Sequence, residues 1–375
     1  MTIAVAELAS AAREGLLALA VGTGLQVLQA MLEEDVDRLV GPKGRHNPVR
    51  ATVRHGSEPG QVTLGGRRVR IRRPRVRTAD GASELAVPTY QAFAATELLD
   101  QLAVERMLAK LSTRRYRVGL EPVGADVERA AAGTSKSAVS RRFVARTETA
   151  LAGLLAQDLS GLDLVALMVD GIRVAEHTCV VGLGIALDGT KVPLALAEGA
   201  TENATVVTEV FDHPVIQRCQ LHKLRNVSDR LPDAVASTVA KRMRRAYHHA
   251  DPLIAQAELE ALARELDRSH PGAAASLREG LAETLAITRL GVPPTLARTL
   301  RSTNSIESMI EICRDHAANV KRWQDGQMVL RWVAAGMGEA AKQFRRVNGY
   351  LHLAALRVAL DQTIAAVTPT KEDAA

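Results

Sequence analysis

The sequence predicts an α+β chain in which strands occupy two short stretches and helices fill the rest. Three observations carry that reading. Between residues 162 and 198 lie three apolar runs, 164–169, 179–187 and 192–197, separated by turn chemistry such as Asp188-Gly189, which reads as a meander of three antiparallel strands. After Gly65-Gly66, Arg68, Arg70 and Arg72 alternate with Val69 and Ile71, the period of a β-ribbon. Elsewhere, apolar residues recur at helical spacing between capping and breaking residues.

Composition limits what such a chain can be. Its 375 residues suffice for two or three domains with substantial cores. A formal charge of +6, a sequence pI of about 9.4 and arginines crowded into the N-terminal half argue for a polyanionic partner. Three cysteines, Cys179, Cys219 and Cys313, exclude a disulfide framework and suit a reducing cytosol. Glu7, Arg13 and Glu14 interrupt the apolar N-terminus too early for a secretory core or a membrane span. A soluble protein of the cytoplasm is expected, with no membrane partner.

Residues 4–40 read as two helices, with Leu16, Leu17 and Leu19 in the first and Leu25, Val27, Leu28 and Leu32 in the second, a pair that packs onto something or dimerises. The ribbon follows. Arg67, Arg68, Arg70, Arg72, Arg73, Arg75 and Arg77, with no acidic residue among them in sequence, would give a face suited to a phosphate backbone, and Pro74 places it at a sheet edge. A solvated charged edge that blocks aggregation is the competing reading. Residues 94–157 read as helical, with Arg114, Arg115 and Arg117 clustered around Tyr116. Within them, a helix at 126–132 stops at Gly133, and Thr134 or Ser135 caps a second one bearing Lys136, Ser137, Ser140, Arg141 and Arg142. That is a helix-turn-helix outline, with Lys136, Arg141 and Arg142 placed to meet DNA, although ordinary helical hairpins share it.

The first strand of the meander delivers Asp170 at its end, where a carboxylate needs a metal, a base or water as partner. A helix from Glu202 to about Phe211 breaks at Asp212-His213-Pro214, and Val215-Ile216-Gln217 resumes as a short strand leading into RCQLHKLRN. Asp251 caps a helix that opens with Pro252 and carries Leu259, Leu262 and Leu266 on one face. Pro293-Pro294 separates that bundle from RSTNSIES, where Ser302 or Thr303 caps a helix with Glu307 in its early turns and Glu311 one turn on. Trp323 and Trp332 flank a further helix, and a disordered tail is expected beyond Pro369. The expected divisions are residues 1–92 (helices and Arg-rich ribbon), 93–160 (helix-turn-helix-like), 161–217 (strands of a catalytic core), 218–300 (α-helical insertion), 301–368 (helices carrying the Glu) and 369–375 (tail).

A strand-borne Asp and a helix-borne Glu separated by a helical insertion is how an RNase H-type, retroviral-integrase-like core gathers carboxylates, because hard cations need oxygen ligands on both sides of a scissile phosphate. Taken together, Asp170, the QRC-x2-HK-x-RN phrase at 217–226 and the TN-x-IE phrase at 303–307 resemble the mutator-type insertion-sequence transposases, a family of DDE recombinases, over nearly the whole chain. The resemblance implies an RNase H-like domain with an α-helical insertion and binding of terminal inverted repeats through the N-terminal region. It also implies cleavage and transfer of double-stranded DNA at transposon ends and target, dependent on Mg²⁺ or Mn²⁺, by a homo-oligomer assembled on DNA of the nucleoid. It makes Asp170 and Glu307 the catalytic metal ligands and Cys219 and His222 a structural C-x2-H pair.

One departure from the family pattern stands out. The loop and strand that should bring a second catalytic Asp are missing, and Asp212, the only Asp between Asp188 and Cys219, sits at a position that is not catalytic in the family. Residues 202–211 barely supply the dozen or so that a parallel crossover needs. An internally deleted core lacking a strand is expected, poorly stable and with two carboxylates that hold one metal weakly. Two function classes therefore stand: a transposase, and a catalytically inert DNA-binding derivative or repressor. Two further readings are open. Cys219-x2-His222 and Cys313-x2-His316 could together hold zinc, and His248-His249 could form an exposed basic helix end. Gly182 and Gly184 lie inside a strand, not before a helix, so they form no phosphate loop of a nucleotide-driven enzyme.

Overall fold

The structure, a computed structural model, describes residues 2–45, 49–120, 123–199 and 214–367. It divides into two units, Met1–Thr149 and Ala150–Ala375. The first opens with one helix, α1 (Thr2–Val40), where the sequence suggests two. Gly22 and Gly24 weaken a helix by about 1 kcal/mol each relative to alanine, and no proline is present to end it. Leu28, Leu32 and Val36, four residues apart, are buried along one face of α1 against Val62, Val69 and Val76 of a small sheet. Leu16 and Leu19, further towards the N-terminus, are exposed.

That sheet runs in the order β1 (Thr52–Leu64), β2 (Arg67–Thr78), β3 (Glu84–Leu85), all antiparallel. Gly65 and Gly66 both have positive φ, 56° and 72°, as a two-residue hairpin turn of matching twist requires. The edge position expected from Pro74 is corrected: β2 is the central strand. Proline is tolerated there because β3 pairs only with Val76 and Arg77, and the β1 ladder shifts register between Arg54 and Ser57, beside Pro74. Helices α2 (Pro88–Ala94), α3 (Glu97–Leu108), α4 (Ala125–Ala130) and α5 (Lys136–Leu155) follow. Between α4 and α5, Ala132 exchanges two backbone hydrogen bonds with Arg68, so the turn expected to join a helix pair is instead pinned to β2.

The second unit is built on β4 (Leu164–Val174), β5 (His177–Ala186) and β6 (Lys191–Glu198), an antiparallel meander in sequence order. Asp170 does not end β4 as expected. It sits mid-strand opposite Val181, and the strand continues through the fully buried Ile172 to Val174. Residues 200–213, which include the expected helix and Asp212, lie outside the described residues, as does the tail beyond Pro369. Residues 215–217, expected as a strand, form none among the described residues; the Gln217 side chain instead donates to Thr284 O at 3.0 Å and accepts from Ile287 N at 2.8 Å.

A helical stretch from α6 (Gln220–Ser228) through α7 (Asp233–Tyr247), α8 (Pro252–Asp267) and α9 (Pro271–Arg278) to Leu285 builds its own core around Met243, Leu259, Leu262 and Leu277. Asp251 caps α8 by accepting from Leu253 N at 2.8 Å, as the sequence predicts. After α10 (Ala286–Arg289) and α11 (Pro294–Leu300), helices α12 (Asn304–Ala317), α13 (Gly326–Ala341) and α14 (Leu353–Val367) return to the sheet, packing with Ile172, Val181, Leu183 and Ile185. Trp332 lies within α13 rather than beyond it, 6.2 Å from Trp323 in an edge-to-face pair. At Gly336 a Cβ would come within 2.9 Å of Cys313 Cα, so glycine there lets α12 and α13 approach closely.

Candidate functional site

Cys219 is the N-cap of α6, where its Sγ accepts from the backbone N–H of His222 at 3.4 Å. Glu307 sits in the first turn of α12, whose backbone begins with Glu307 N donating to Thr303 O at 2.8 Å. The side-chain cap expected from Ser302 or Thr303 is absent. The Thr303 hydroxyl instead lies 2.6 Å from Glu307 Oε1, to which it donates, and 3.5 Å from Cys219 Sγ. His222 Nε2 is 3.4 Å from Glu307 Oε1, and the ligand atoms of Cys219, His222 and Glu307 all lie within 4.8 Å of one another.

Packing of α12 on β4 brings Asp170 into the same neighbourhood. Half-buried, it takes Gly171 N on Oδ1 at 2.8 Å. Its charge, with that of Glu307, acts on the His222 imidazole. The hydrogen bond to Cys219 raises the basicity of His222 most; burial opposes it, and the charges of Cys219, Asp170 and Glu307 add to it, holding the imidazole at about 8. Burial works against ionisation of the Cys219 thiol, but hydrogen bonds from His222 and Thr303 together outweigh it and bring the thiol down to about 7.

Around this cluster the QRCQLHKLRN phrase fastens chain segments together, a role that reading the motif as a simple signature misses. Gln217 and Gln220 both donate to Thr284 O, at 3.0 and 2.8 Å. Lys223, 4 % exposed, donates to Ser276 O at 2.7 Å and Glu279 O at 2.6 Å. Arg218 pairs with Glu283 and with Glu279. Gln220 N donates to Arg301 O at 2.9 Å, and Arg301 Nη1 reaches Tyr247 O at 3.2 Å. Glutamines and a lysine spaced three apart beside a cysteine cap were the available signal, but their acceptors are backbone carbonyls some 50 to 70 residues away, which no local pattern shows.

Cys313 does not join a second metal pair with Cys219. It is buried between α12 and α13, with Sγ 3.7 Å from Val333 O, and burial pushes its thiol up to about 12. Among the described residues, Cys219, His222 and Glu307 form the one group of three or more suited to a metal. His248 and His249 contact Arg244 O and Glu258, at 2.6 and 3.2 Å.

In the first unit, three of the seven ribbon arginines are committed to carboxylates that come from across the sheet or from α4, not from their own stretch. Arg67 pairs with Glu128 at 2.6 Å, Arg73 with Glu58 and Glu84, and Arg75 with Glu84 and Glu58. Among the described residues, Arg68 and Arg72 bond only neutral groups, the former Thr63, Ala94 O and Gln61 O, the latter Ser57, while Arg70 is exposed and Arg77 keeps a buried Nε without a hydrogen-bond partner. On α5, Lys136 and Arg141 are exposed, whereas Arg142 is tied to Asp100 at 3.1 Å. Ser135 receives Ala138 N at 3.3 Å, so it supplies the helix cap that the sequence leaves open between Thr134 and Ser135.

Comparison with known proteins adds an independent line. Residues 204–347 match the family described as Transposase, Mutator family. The chain is 24% identical over 368 residues to the transposase for insertion sequence element ISRM5 of Rhizobium meliloti (strain 1021), covering 88% of this chain and 90% of that protein. It is 28% identical over 261 residues to the transposase for insertion sequence element IS6120 of Mycolicibacterium smegmatis, covering 60% of this chain and 80% of that protein. Over a shorter span of 128 residues, 34% of this chain and 43% of its relative, it is 29% identical to the transposase for insertion sequence element IST2 of Acidithiobacillus ferrooxidans.

Proposed function

We propose that the chain, similar to mutator-type insertion-sequence transposases, is one of them, that it binds double-stranded DNA at the terminal repeats of its element, and that it cleaves and transfers strands there. In this reading the second unit is an RNase H-like core with residues 218–300 as its α-helical insertion, and the enzyme is of the DDE type. The observation that carries it is the packing of α12 on β4, which sets the elements bearing Glu307 and Asp170, 137 positions apart in sequence, against each other.

Mg²⁺ or Mn²⁺ is the cation that such chemistry calls for, and the oxygens of Asp170 and Glu307 suit it. Bound there, it would stabilise charge on the scissile phosphate and lower the pKa of water. The chain's own part is positional. Thr303 holds Oε1 of Glu307, Gly171 N holds Oδ1 of Asp170, and His222 sets a positive charge beside both carboxylates. In the first unit Arg68, Arg70, Arg72 and Arg77, with Lys136 and Arg141, pair with no carboxylate among the described residues and are offered to phosphates, and the protein assembles on DNA as a homo-oligomer.

A second reading, an inert DNA-binding derivative or repressor, is favoured by the sequence itself. Between Asp188 and Cys219 it offers only Asp212, so a two-cation clamp lacks its third carboxylate. The test is nicking of end-sequence DNA by the purified protein in Mg²⁺ or Mn²⁺. Nicking that Asp170→Asn and Glu307→Gln each reduce about 100-fold or more supports the enzyme. Tight, salt-sensitive binding without nicking establishes the second reading. Absence of both end-specific binding and nicking would overturn the proposal.

A further inference from the structure

Glu307 also faces donors softer than a hard cation prefers. One oxygen group, one nitrogen and one sulfur face each other, and thiolates select zinc-type ions over Mg²⁺. We infer that Cys219, His222 and Glu307 form a binding site for a single thiophilic divalent cation of the zinc type, with sulfur, nitrogen and oxygen ligands and an open fourth position.

The geometry is close to what such an ion needs. Bonds of about 2.0 Å to nitrogen and oxygen and about 2.3 Å to sulfur put tetrahedral ligand atoms about 3.3 to 3.5 Å apart. His222 Nε2 and Glu307 Oε1 already stand at 3.4 Å. All three ligand atoms lie within 4.8 Å, so rotamer adjustments on the order of 1 Å close the set. A thiolate and a carboxylate beside a neutral imidazole carry two negative charges, which balance a dication. Thr303 supplies an outer contact to two of the three ligands, the arrangement that orients metal ligands in protein sites. The His222 and Glu307 side chains are 38% and 37% exposed, so an ion can reach them from solvent.

Cys219 is also the one thiol of the three with access. Cys179 and Cys313 are buried at 0% and 2% exposure, with their thiols pushed up by burial. The site differs from a pairing of both C-x2-H phrases, since Cys313 lies in the core of α12 and α13. Nor does it rest on DNA cleavage, although an ion held here would occupy Glu307 and oppose a hard cation that uses the same carboxylate.

Cobalt(II) reports on it without any activity assay. Full-length protein stripped by chelator and titrated with Co²⁺ should take up one equivalent, with thiolate-to-cobalt charge-transfer absorption and tetrahedral ligand-field bands. Cys219→Ser should abolish the charge-transfer band, and Thr303→Val should weaken binding about 10-fold or more. Absence of the band in folded wild-type protein, or its persistence in Cys219→Ser, would overturn the site. Should Cys219→Ser fail to fold by circular dichroism, Glu307→Gln decides the matter: binding about 10-fold weaker supports the site and unchanged affinity refutes it. Nicking assays are read separately, so loss of one result leaves the other standing.

Discussion

Position 303 shows how a single hydroxyl can be diverted. A threonine at a helix start ordinarily turns its side chain to a backbone N–H, yet here the carboxylate one turn on and the sulfur of Cys219 take it. Against burial, hydrogen bonds from His222 first and Thr303 second make that sulfur unusually acidic. Alkylation of Cys219 by iodoacetamide, followed by mass spectrometry against pH, should show a midpoint near 7 rather than near the ordinary thiol value of 9. Replacing His222 with Gln removes a hydrogen bond that favours the thiolate, so the midpoint should move upward; an unmoved midpoint would contradict the assignment. Both partners are visible in the sequence, Cys219-x2-His222 as a pair and Glu307 as a separate acid. Their meeting was not, because it depends on how α12 docks 85 positions later.

Among elements, the ribbon was the most legible. Alternating Val and Arg after a Gly-Gly pair yields a hairpin whatever surrounds it, and β1 and β2 pair as the pattern requires. The neutralising glutamates were not legible, since Glu58, Glu84 and Glu128 arrive from other strands and from α4. That division has a measurable consequence. Replacing Arg68, Arg70 and Arg72 together with Gln should flatten the logarithmic dependence of DNA affinity on salt by about 2 to 3 units of slope. Arg73→Gln and Arg75→Gln should leave the slope nearly unchanged, because their charges are already paired with Glu58 and Glu84. The contact of α12 with α13 admits a sharper test. Gly336→Val inserts side-chain atoms against Cys313 and should lower stability by about 1 to 3 kcal/mol in urea denaturation, with m unchanged.

Over the whole molecule, the α+β class and the three-strand meander followed from apolar patterning, and the helical stretch after Cys219 followed from caps and prolines. What escaped was long-range: β2 as a central strand, Asp170 within β4 rather than at its end, and the single long α1. Each depends on pairing or packing partners remote in sequence, whereas local propensity leaves such positions undecided. The fastening of residues 217–223 to the helical stretch that ends near Leu285 belongs to this scale too. Lys223→Ala would strip the carbonyls of the buried Ser276 and the exposed Glu279 of their ammonium donor and is expected to destabilise the chain by about 1 to 3 kcal/mol, read as a lowered urea midpoint.

The acceptors in that fastening are main-chain oxygens, at positions 276, 279 and 284, while the donors are side chains at 217, 220 and 223. A carbonyl survives almost any change of its own residue, whereas a particular amide or ammonium group does not. Mutational tolerance should therefore be lopsided across this contact. Drift is permitted where an accepting residue turns its side chain to solvent and forbidden at the donors, so a saturation library sorted for folded protein should tolerate many residues at the exposed position 279 and few at 223.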